Sequence, residues 1–318
     1  MDRIVVGIDI SKKKFDVCLL LPDNKVSNRV FKNAPEGFTA FLNFLEQKNV
    51  SACRIAMEAT GCYGDDLARV LHDKGHTVLV INPAQIKYFG KSKLSRSKTD
   101  KKDARLIADF ALTHPELKPW IPLTGSQEKL KSLYRHLVRL KEDRVQVLNR
   151  LESDRDADVR NLSNNHFDFI DGQIRDLEKK IRAHVESAPD LKVKEKLLRS
   201  IPGVGEMVSW GILSEAPDLK NFQNARQLAA FAGLNPSVYE SGTSVRGRGS
   251  ISKTGSRSLR KLLYMPGMAA MRCNPIIKKF AETLRAKGKN GKVIVVACMR
   301  KLLHIIYGVL TKEQPFHG

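Results

Sequence analysis

The spacing of apolar residues divides the chain into three stretches. Over roughly the first 120 residues they come in short β-branched runs and helical-period segments that alternate. Residues 3–10 and 15–21 read as two strands joined by a tight basic turn through Lys12, Lys13 and Lys14, and 29–32 as a third. Pro35 opens a helix to about Gln47, with Phe38, Phe41, Leu42 and Leu45 at helical spacing. Residues 52–59 form another apolar run, 63–74 a helix closed by Gly75, and 76–81 a strand stopped by Asn82-Pro83. A basic loop over 91–99 precedes a helix over 100–112 whose inner face is Ala104, Ile107, Ala108 and Ala111. Three adjacent strands followed by alternating helix and strand predict a mixed sheet with helices on its faces.

From Gln127 to Ser187 the pattern changes. There is no proline and one glycine, Gly172, and Leu130, Leu133, Leu137, Leu140, Val147 and Leu151 keep alternating three–four spacing apart from a gap at Arg144. Ile170, Ile174, Leu177, Ile181 and Val185 repeat it after a polar break at 161–165, which predicts two long helices in an antiparallel coiled-coil hairpin. The remainder reads as mainly helical, with a Gly/Ser/Arg-rich insertion over 241–258 and helices over 259–272 and 293–309. The expected segments are therefore 1–122 (α/β), 123–190 (helical arm) and 191–318 (mainly α-helical).

Charge adds the next constraint. The 318 residues carry 55 Lys and Arg against 34 Asp and Glu, a net of +21. Residues 1–120 hold 20 basic and 14 acidic residues, 121–190 hold 13 of each, and 191–318 hold 22 and 7. Within 241–301 there are 15 basic residues and one acidic, Glu282. A field this lopsided points to a polyanion, most simply nucleic acid. No apolar run approaches the roughly 18–20 residues that span a bilayer, and no leader precedes the first strand. The five cysteines are scattered without zinc spacing, as free thiols in a reducing cytoplasm would be.

Three constellations bear on chemistry. Asp9 lies in the first apolar strand, where a buried carboxylate needs a partner, a proton or a metal. Glu58 ends a later strand, and Asp100 and Asp103 share one helix face. Four carboxylates supply the oxygen ligands of a hard cation such as Mg²⁺, and two such ions about 3.5–4 Å apart clamp both oxygens of a phosphodiester displacement. Plainer roles exist: a strand-end aspartate, Asp100 capping its helix, Asp103 pairing with Lys102 or Arg105. Second, Ile201-Pro202-Gly203-Val204-Gly205 between two helices has the form of a helix-hairpin-helix, in which Gly203 and Gly205 let backbone amides approach a phosphate; a turn that only packs is the alternative. Third, Arg246, Arg248, Lys253, Arg257, Arg260 and Lys261 follow a Ser241-Gly242 step and can neutralise several phosphates. Nothing local distinguishes Ser241 from the five other serines nearby.

In order along the chain, Gly7-Ile8-Asp9-Ile10-Ser11-Lys12, Glu58-Ala59-Thr60-Gly61-Cys62-Tyr63, Val80-Ile81-Asn82-Pro83, Lys98-Thr99-Asp100-Lys101-Lys102-Asp103-Ala104, Ile201-Pro202-Gly203-Val204-Gly205, Phe231-Ala232-Gly233-Leu234-Asn235-Pro236, Ser241-Gly242, Ile251-Ser252-Lys253 and Leu259-Arg260 resemble the DEDD-type transposases of one insertion-sequence family, relatives of the Piv DNA invertase. The resemblance implies a RuvC-like, RNase H-type first domain with Asp9, Glu58, Asp100 and Asp103 as metal ligands for Mg²⁺, Mn²⁺ being a possible substitute. It also implies a C-terminal transposase domain whose Ser241 forms a covalent 5′-phosphoserine link to DNA. The partners it implies are donor and target double-stranded DNA, a structured guide (bridge) RNA from the element, and further copies of the chain in a homodimer or homotetramer, in the bacterial cytoplasm with no membrane. Two departures are Ser256-Arg257, in place of Gly-Asn-like residues, and Pro266 inside an expected helix. Two other functions compete: a RuvC-like junction endonuclease using metal-activated water, and a non-catalytic architectural protein that holds nucleic acid.

Overall fold

The structure, a computed structural model, describes residues 4–22, 25–59, 63–93, 100–216, 219, 222–237, 240–241, 245–246 and 250–317, with the backbone alone at 100, 101, 240, 241, 245 and 246. Its contacts divide it into two compact units, Met1–Pro122 and Leu123–Gly318.

In the first unit the elements run β1 (Val5–Ile10), β2 (Lys14–Leu20), β3 (Val26–Lys32), α1 (Pro35–Gln47), β4 (Arg54–Glu58), α2 (Asp65–Asp73), β5 (Thr77–Ile81), α3 (Pro83–Ser92) and α4 (Asp100–Thr113). The sheet order is β3-β2-β1-β4-β5. The first three strands pair antiparallel through a hairpin closed by Ser11 N–H donating to the Lys14 carbonyl at 2.9 Å, while β4 and β5 run parallel to β1. This is an RNase H-like α/β sheet. Alternation along the strands sends Val6, Ile8, Phe15, Val17, Leu19, Ile55 and Met57 to a core with α1 and α2. Val5, Cys18, Leu20, Ala56, Leu79 and Ile81 pack on α3 and α4 on the opposite face. The third strand is longer than its sequence pattern indicates, because only Phe31 of its residues is buried and little periodicity shows. Asn82-Pro83 does end β5, but it also starts α3: the Asn82 side chain accepts from Ala84 N–H at 2.9 Å and proline fits the first helical position.

The second unit holds α5 (Gly125–Ser153), α6 (Ala157–Ser187), α7 (Pro189–Arg199), α8 (Glu206–Glu215), α9 (Ala225–Phe231), the two-residue strands β6 (Pro236–Ser237), β7 (Glu240–Ser241), β8 (Val245–Arg246) and β9 (Ser250–Ile251), then α10 (Arg257–Leu262), α11 (Tyr264–Cys273), α12 (Pro275–Ala286) and α13 (Gly291–Lys312). The pair α5–α6 is joined by three residues and bonded by Lys141–Glu178 at 2.7 Å and Arg144–Asp171 at 2.8 Å, so the break in the apolar repeat at Arg144 is an ion-pair layer. The buried residues of this pair are continuous with the core of α7–α13, so the expected arm is rooted in the C-terminal helices. The helix expected over 259–272 is two helices, since Pro266 has no N–H for the Leu262 carbonyl and the chain breaks at Leu263. Against the expectation of no run long enough to span a bilayer, one helix among the described residues, α13, is long and apolar enough by length and composition to cross a membrane. Its Ile294, Cys298, Leu302, Leu303 and Ile306 lie in the helical core, which accounts for that apolarity.

Candidate active site and nucleic-acid interface

The α4 face of the sheet changes character at one level. Gly7 stands opposite Cys18 on β2 and Ala56 on β4, and beneath it Val5 and Leu20 carry the apolar packing on that face, with Arg54 of β4 at its far end. One step further along the strands come Asp9 on β1 and Glu58 on β4, at the carboxyl ends of adjacent parallel strands and on the α4 side by alternation. Helix α4 runs antiparallel to these strands, because the Arg54 guanidinium at the start of β4 donates to the His114 carbonyl at the far end of α4, at 3.2 Å. The first turn of α4, with Asp100 and Asp103, therefore lies at the same end of the sheet as Asp9 and Glu58. Small residues make the approach close: a Cβ on Gly7 would sit 2.1 Å from the Ala104 carbonyl oxygen.

Asp9, Glu58 and Asp103 are half-buried, and the Asp100 side chain lies outside the described residues. Arg105 bonds Asp109 one turn on, at 2.9 Å, and Lys93 bonds the same carboxylate at 3.1 Å, so the alternative pairing of Arg105 with Asp103 is not the one found. Among the described residues no three carboxylate, imidazole or thiol groups are close enough to hold a metal. Carboxylate oxygens such as those of Asp9, Glu58 and Asp103 suit a hard divalent cation and not a thiol- or imidazole-seeking ion. The nearby thiol is no competitor, since burial pushes Cys18 up to about 11.

In the second unit Ser241 sits at the end of β7, paired through Val245 with β8, and this small ladder is enclosed by the β6–β9 pair. Its side chain, that of Arg246, and residues 242–244 and 247–249, Arg248 included, lie outside the described residues. The foot of the segment is held on the Phe231–Pro236 motif. Ser252 N–H donates to the Asn235 carbonyl at 2.9 Å, and Ser256 N–H to that of Phe231 at 2.6 Å. Gly233 and Gly255 have φ of 68° and 135°, and a Cβ on Gly255 would lie 2.2 Å from the Phe231 oxygen. Those glycines are demanded by conformation and close approach together. At Ser256 the departure from the family pattern is accommodated, because its hydroxyl accepts from Leu259 N–H at 3.1 Å and caps α10.

The basic candidates differ in their surroundings. Lys253 and Arg257 are exposed. Arg260 spans the foot of the serine segment, one nitrogen donating to the Ala232 carbonyl at 3.0 Å and the Lys253 carbonyl at 3.3 Å. Lys261 pairs with Glu142 of α5. Sequence reasoning did not single out Lys278, Lys279, Arg285, Lys287, Lys289 and Lys292, which are exposed on α12, the α12–α13 turn and the start of α13; the count of one acid in 241–301 was their signal. In the helix-hairpin-helix, between α7 and α8, Gly203 has φ 98° and its Cβ would meet Ala270 of α11 at 3.0 Å, so packing already requires it. Gly205 precedes α8 with open space beside it. Glu206 takes the first position of α8, bonded to Arg182 at 2.8 and 2.6 Å, so the dipole there already faces a carboxylate.

An RNase H-like sheet with acids gathered at its strand ends, in one chain with a strongly basic helical unit, is the build of an enzyme that transfers phosphoryl groups of nucleic acid. The comparisons make the class specific. Residues 6–154 match a DEDD-type IS110 model described as "Transposase", and residues 195–282 match the "Transposase IS116/IS110/IS902 family". The chain is 32% identical to the pilin gene-inverting proteins of Moraxella lacunata and Moraxella bovis, over 99% of its own length and 98% of theirs. It is 26% identical to the transposase for insertion sequence element IS1328 of Yersinia enterocolitica, over 98% of each. The chain belongs to the IS110 family of DEDD transposases and is a DNA transposase/recombinase related to the pilin gene inverters.

Proposed function

We propose that this transposase exchanges DNA strands through a Mg²⁺-dependent reaction with a covalent 5′-phosphoserine intermediate. The observation that carries the reading is the gathering of Asp9, Glu58 and the first turn of α4 at one end of the sheet, facing the same way. Asp9, Glu58, Asp100 and Asp103 would hold one or two Mg²⁺ ions, which supply charge neutralisation at the scissile phosphate. Mn²⁺ suits the same oxygen ligands. The Ser241 hydroxyl forms the new O–P bond, the bond to the 3′ oxygen breaks, and the 3′-hydroxyl is released while the 5′ phosphate stays on the protein. Holding the phosphate as an ester conserves the bond for rejoining to a second strand.

The basic residues act by phosphate neutralisation. Lys253 and Arg257 stand exposed beside the serine segment, Arg246 and Arg248 lie within it, and Arg260 and Lys261 follow on α10. In the hairpin Gly203 already serves packing, so the sequence-independent backbone contact proposed for Gly203 and Gly205 falls mainly to Gly205, which has open space beside it. The family resemblance implies a structured RNA of the element that pairs with donor and target DNA, and such pairing would supply the site choice that phosphate contacts do not. The resemblance further implies that the protein works as a homodimer or homotetramer. The cytoplasm is the compartment where such DNA is met.

The test is to trap an SDS-resistant protein–DNA adduct from element-end DNA, the element's RNA and Mg²⁺. Adduct formation by the parent chain, lost in Ser241→Ala and in Asp9→Asn, is the expected result. An adduct that survives Ser241→Ala removes the nucleophile assignment. Strand cleavage that needs Asp9 but is indifferent to Ser241 points to the junction endonuclease, and activity indifferent to Asp9→Asn to the architectural protein.

A further inference from the structure

On β2, directly opposite Asp9 in the antiparallel register, stands Asp16. Paired residues of an antiparallel sheet point to the same side, so both carboxylates face α4, with side chains nominally about 5 Å apart at Cβ. Asp16 is 5% exposed and is the one buried carboxylate among the described residues of the first unit. Its Oδ2 accepts from Lys14 Nζ at 3.0 Å, and the Lys14 side chain remains 47% exposed. Two residues before Asp16 on the same strand, Lys14 lies on the same face, nearer the hairpin. Lys32 stands opposite it on β3. That side of the sheet is open: on β3, Val30 beside Asp16 is 48% exposed and Val26 41%. The acidic end of the sheet therefore has an uncovered flank, and Lys14 stands on it beside the acids.

Stability gives no reason for this arrangement. A buried carboxylate paired to a half-exposed ammonium barely repays its desolvation, and apolar residues of similar size often serve as well or better. Placing a second carboxylate opposite Asp9 adds like-charge repulsion. We propose that Lys14 is a further substrate-binding residue of the reaction, its ammonium donating to a non-bridging oxygen of the DNA phosphate at the acidic sheet end. Asp16 is its positioning residue, holding the flexible lysine stem at the place where the phosphate enters. This rests on the proposed metal-dependent DNA chemistry. No covalent step is added: Lys14 contributes charge and a hydrogen bond that strengthen as negative charge gathers on the phosphate.

The test compares the full-length parent with Lys14→Met, Lys14→Arg, Asp16→Asn and the double variant Lys14→Met/Asp16→Asn. Strand cleavage of element-end DNA in the presence of the element's RNA is measured against Mg²⁺ concentration, and DNA affinity against salt with Ca²⁺ in place of Mg²⁺. Lys14→Met is expected to lower cleavage about 100-fold at saturating Mg²⁺, with the half-saturating Mg²⁺ concentration nearly unchanged. It should also reduce the salt slope of DNA binding by about one. Asp16→Asn is expected to lose about 10-fold, Lys14→Arg to recover most of the rate, and the double variant to be no worse than Lys14→Met, because Asp16 acts through the lysine. Melting temperatures are expected to stay at or above the parent's. Lys14→Met that cuts and binds like the parent overturns the inference alone, as does a loss that only follows a fall in melting temperature. A parent chain that cuts in neither Mg²⁺ nor Mn²⁺ overturns the inference together with the function it rests on.

Discussion

Gly7→Ala tests the geometry of the acidic site most directly. The alanine Cβ would lie 2.1 Å from the Ala104 carbonyl oxygen, 2.4 Å from Ala108 N and 2.8 Å from Ala108 Cβ. A carbon–oxygen contact relaxes only at about 3.3 Å, so α4 must lift off β1 by about 1 Å. Two of the three obstructing atoms are helix backbone, which no rotamer change relieves. Overpacking by one methyl costs typically 1–3 kcal/mol, and a backbone collision belongs at the upper end, about 3 kcal/mol. For a unit of this size that lowers the melting temperature by about 10–20 °C. The same displacement moves Asp103 on α4 away from Asp9, two residues beyond Gly7. A shift of about 1 Å in a reacting constellation costs on the order of 100-fold in rate. Melting would be followed by circular dichroism, and cleavage on element-end DNA at a temperature where the variant remains folded. Ala108→Gly in the Gly7→Ala background removes one contact of three and is expected to restore only part of both losses. A Gly7→Ala protein that melts within about 2 °C of the parent and cuts at the same rate would refute the close β1–α4 packing on which the site is built.

Three further outcomes follow from single contacts. Arg260→Ala leaves the Ala232 and Lys253 carbonyls without their donor and is expected to cost about 1–3 kcal/mol in denaturant unfolding, with loss of adduct formation; Arg260→Lys, lacking the planar fork, should not restore it. Burial holds Glu195, which accepts from the Trp210 indole at 3.1 Å, above its ordinary value of 4.5. The protonated form is thus favoured in the fold, and its stabilising contribution is complete below about pH 4.5 and lost as pH rises through the folded value. Glu195→Gln should therefore be more stable than the parent at pH 7, the difference shrinking toward pH 4.5 in thermal melts; a difference that does not change with pH would contradict this. Gly172, inside α6 with open space where a Cβ would go, should gain about 0.5–1 kcal/mol on Gly172→Ala, read from the denaturation midpoint.

The elements of the first unit that bury one regular face were legible in the sequence. Pro35 and Gln47 bound α1, and Ala104, Ile107, Ala108 and Ala111 are the buried side of α4, because period and burial coincide there. Legibility failed where burial is absent or where one residue serves two elements. The third strand is an edge strand with one buried side chain, so little periodicity marks it. Asn82-Pro83 closes a strand and starts a helix with the same two residues. In the second unit the serine is not legible from local chemistry, since the six serine hydroxyls of one segment are chemically equivalent in sequence. The visible signal was at its foot: Gly233 and Gly255 sit where a Cβ would strike Arg260 or the Phe231 carbonyl. Arg260 reads in sequence as one more phosphate-binding cation, because a guanidinium that clamps two carbonyls and one that binds DNA carry the same charge.

The place of Asp16 is legible in the sequence. The reading of two strands joined by a tight turn already contains its position. A hairpin closed between Ser11 and Lys14 pairs positions whose numbers have a constant sum, and that register sets Asp9 opposite Asp16. Alternation then places both on the face that Gly7 opens to α4. Asp16 is masked in the pattern because it stands between Phe15 and Val17 in a run that otherwise fills the core, where one polar residue reads as a minor interruption. The same physics that made Asp9 uncomfortable applies with more force to Asp16, which is the more buried of the two. Two carboxylates fixed opposite each other by a four-residue turn, with a lysine of that turn bonded to Asp16, form an arrangement that stability alone explains poorly. That is the physical reason to expect Lys14→Met to impair DNA chemistry while leaving the fold intact.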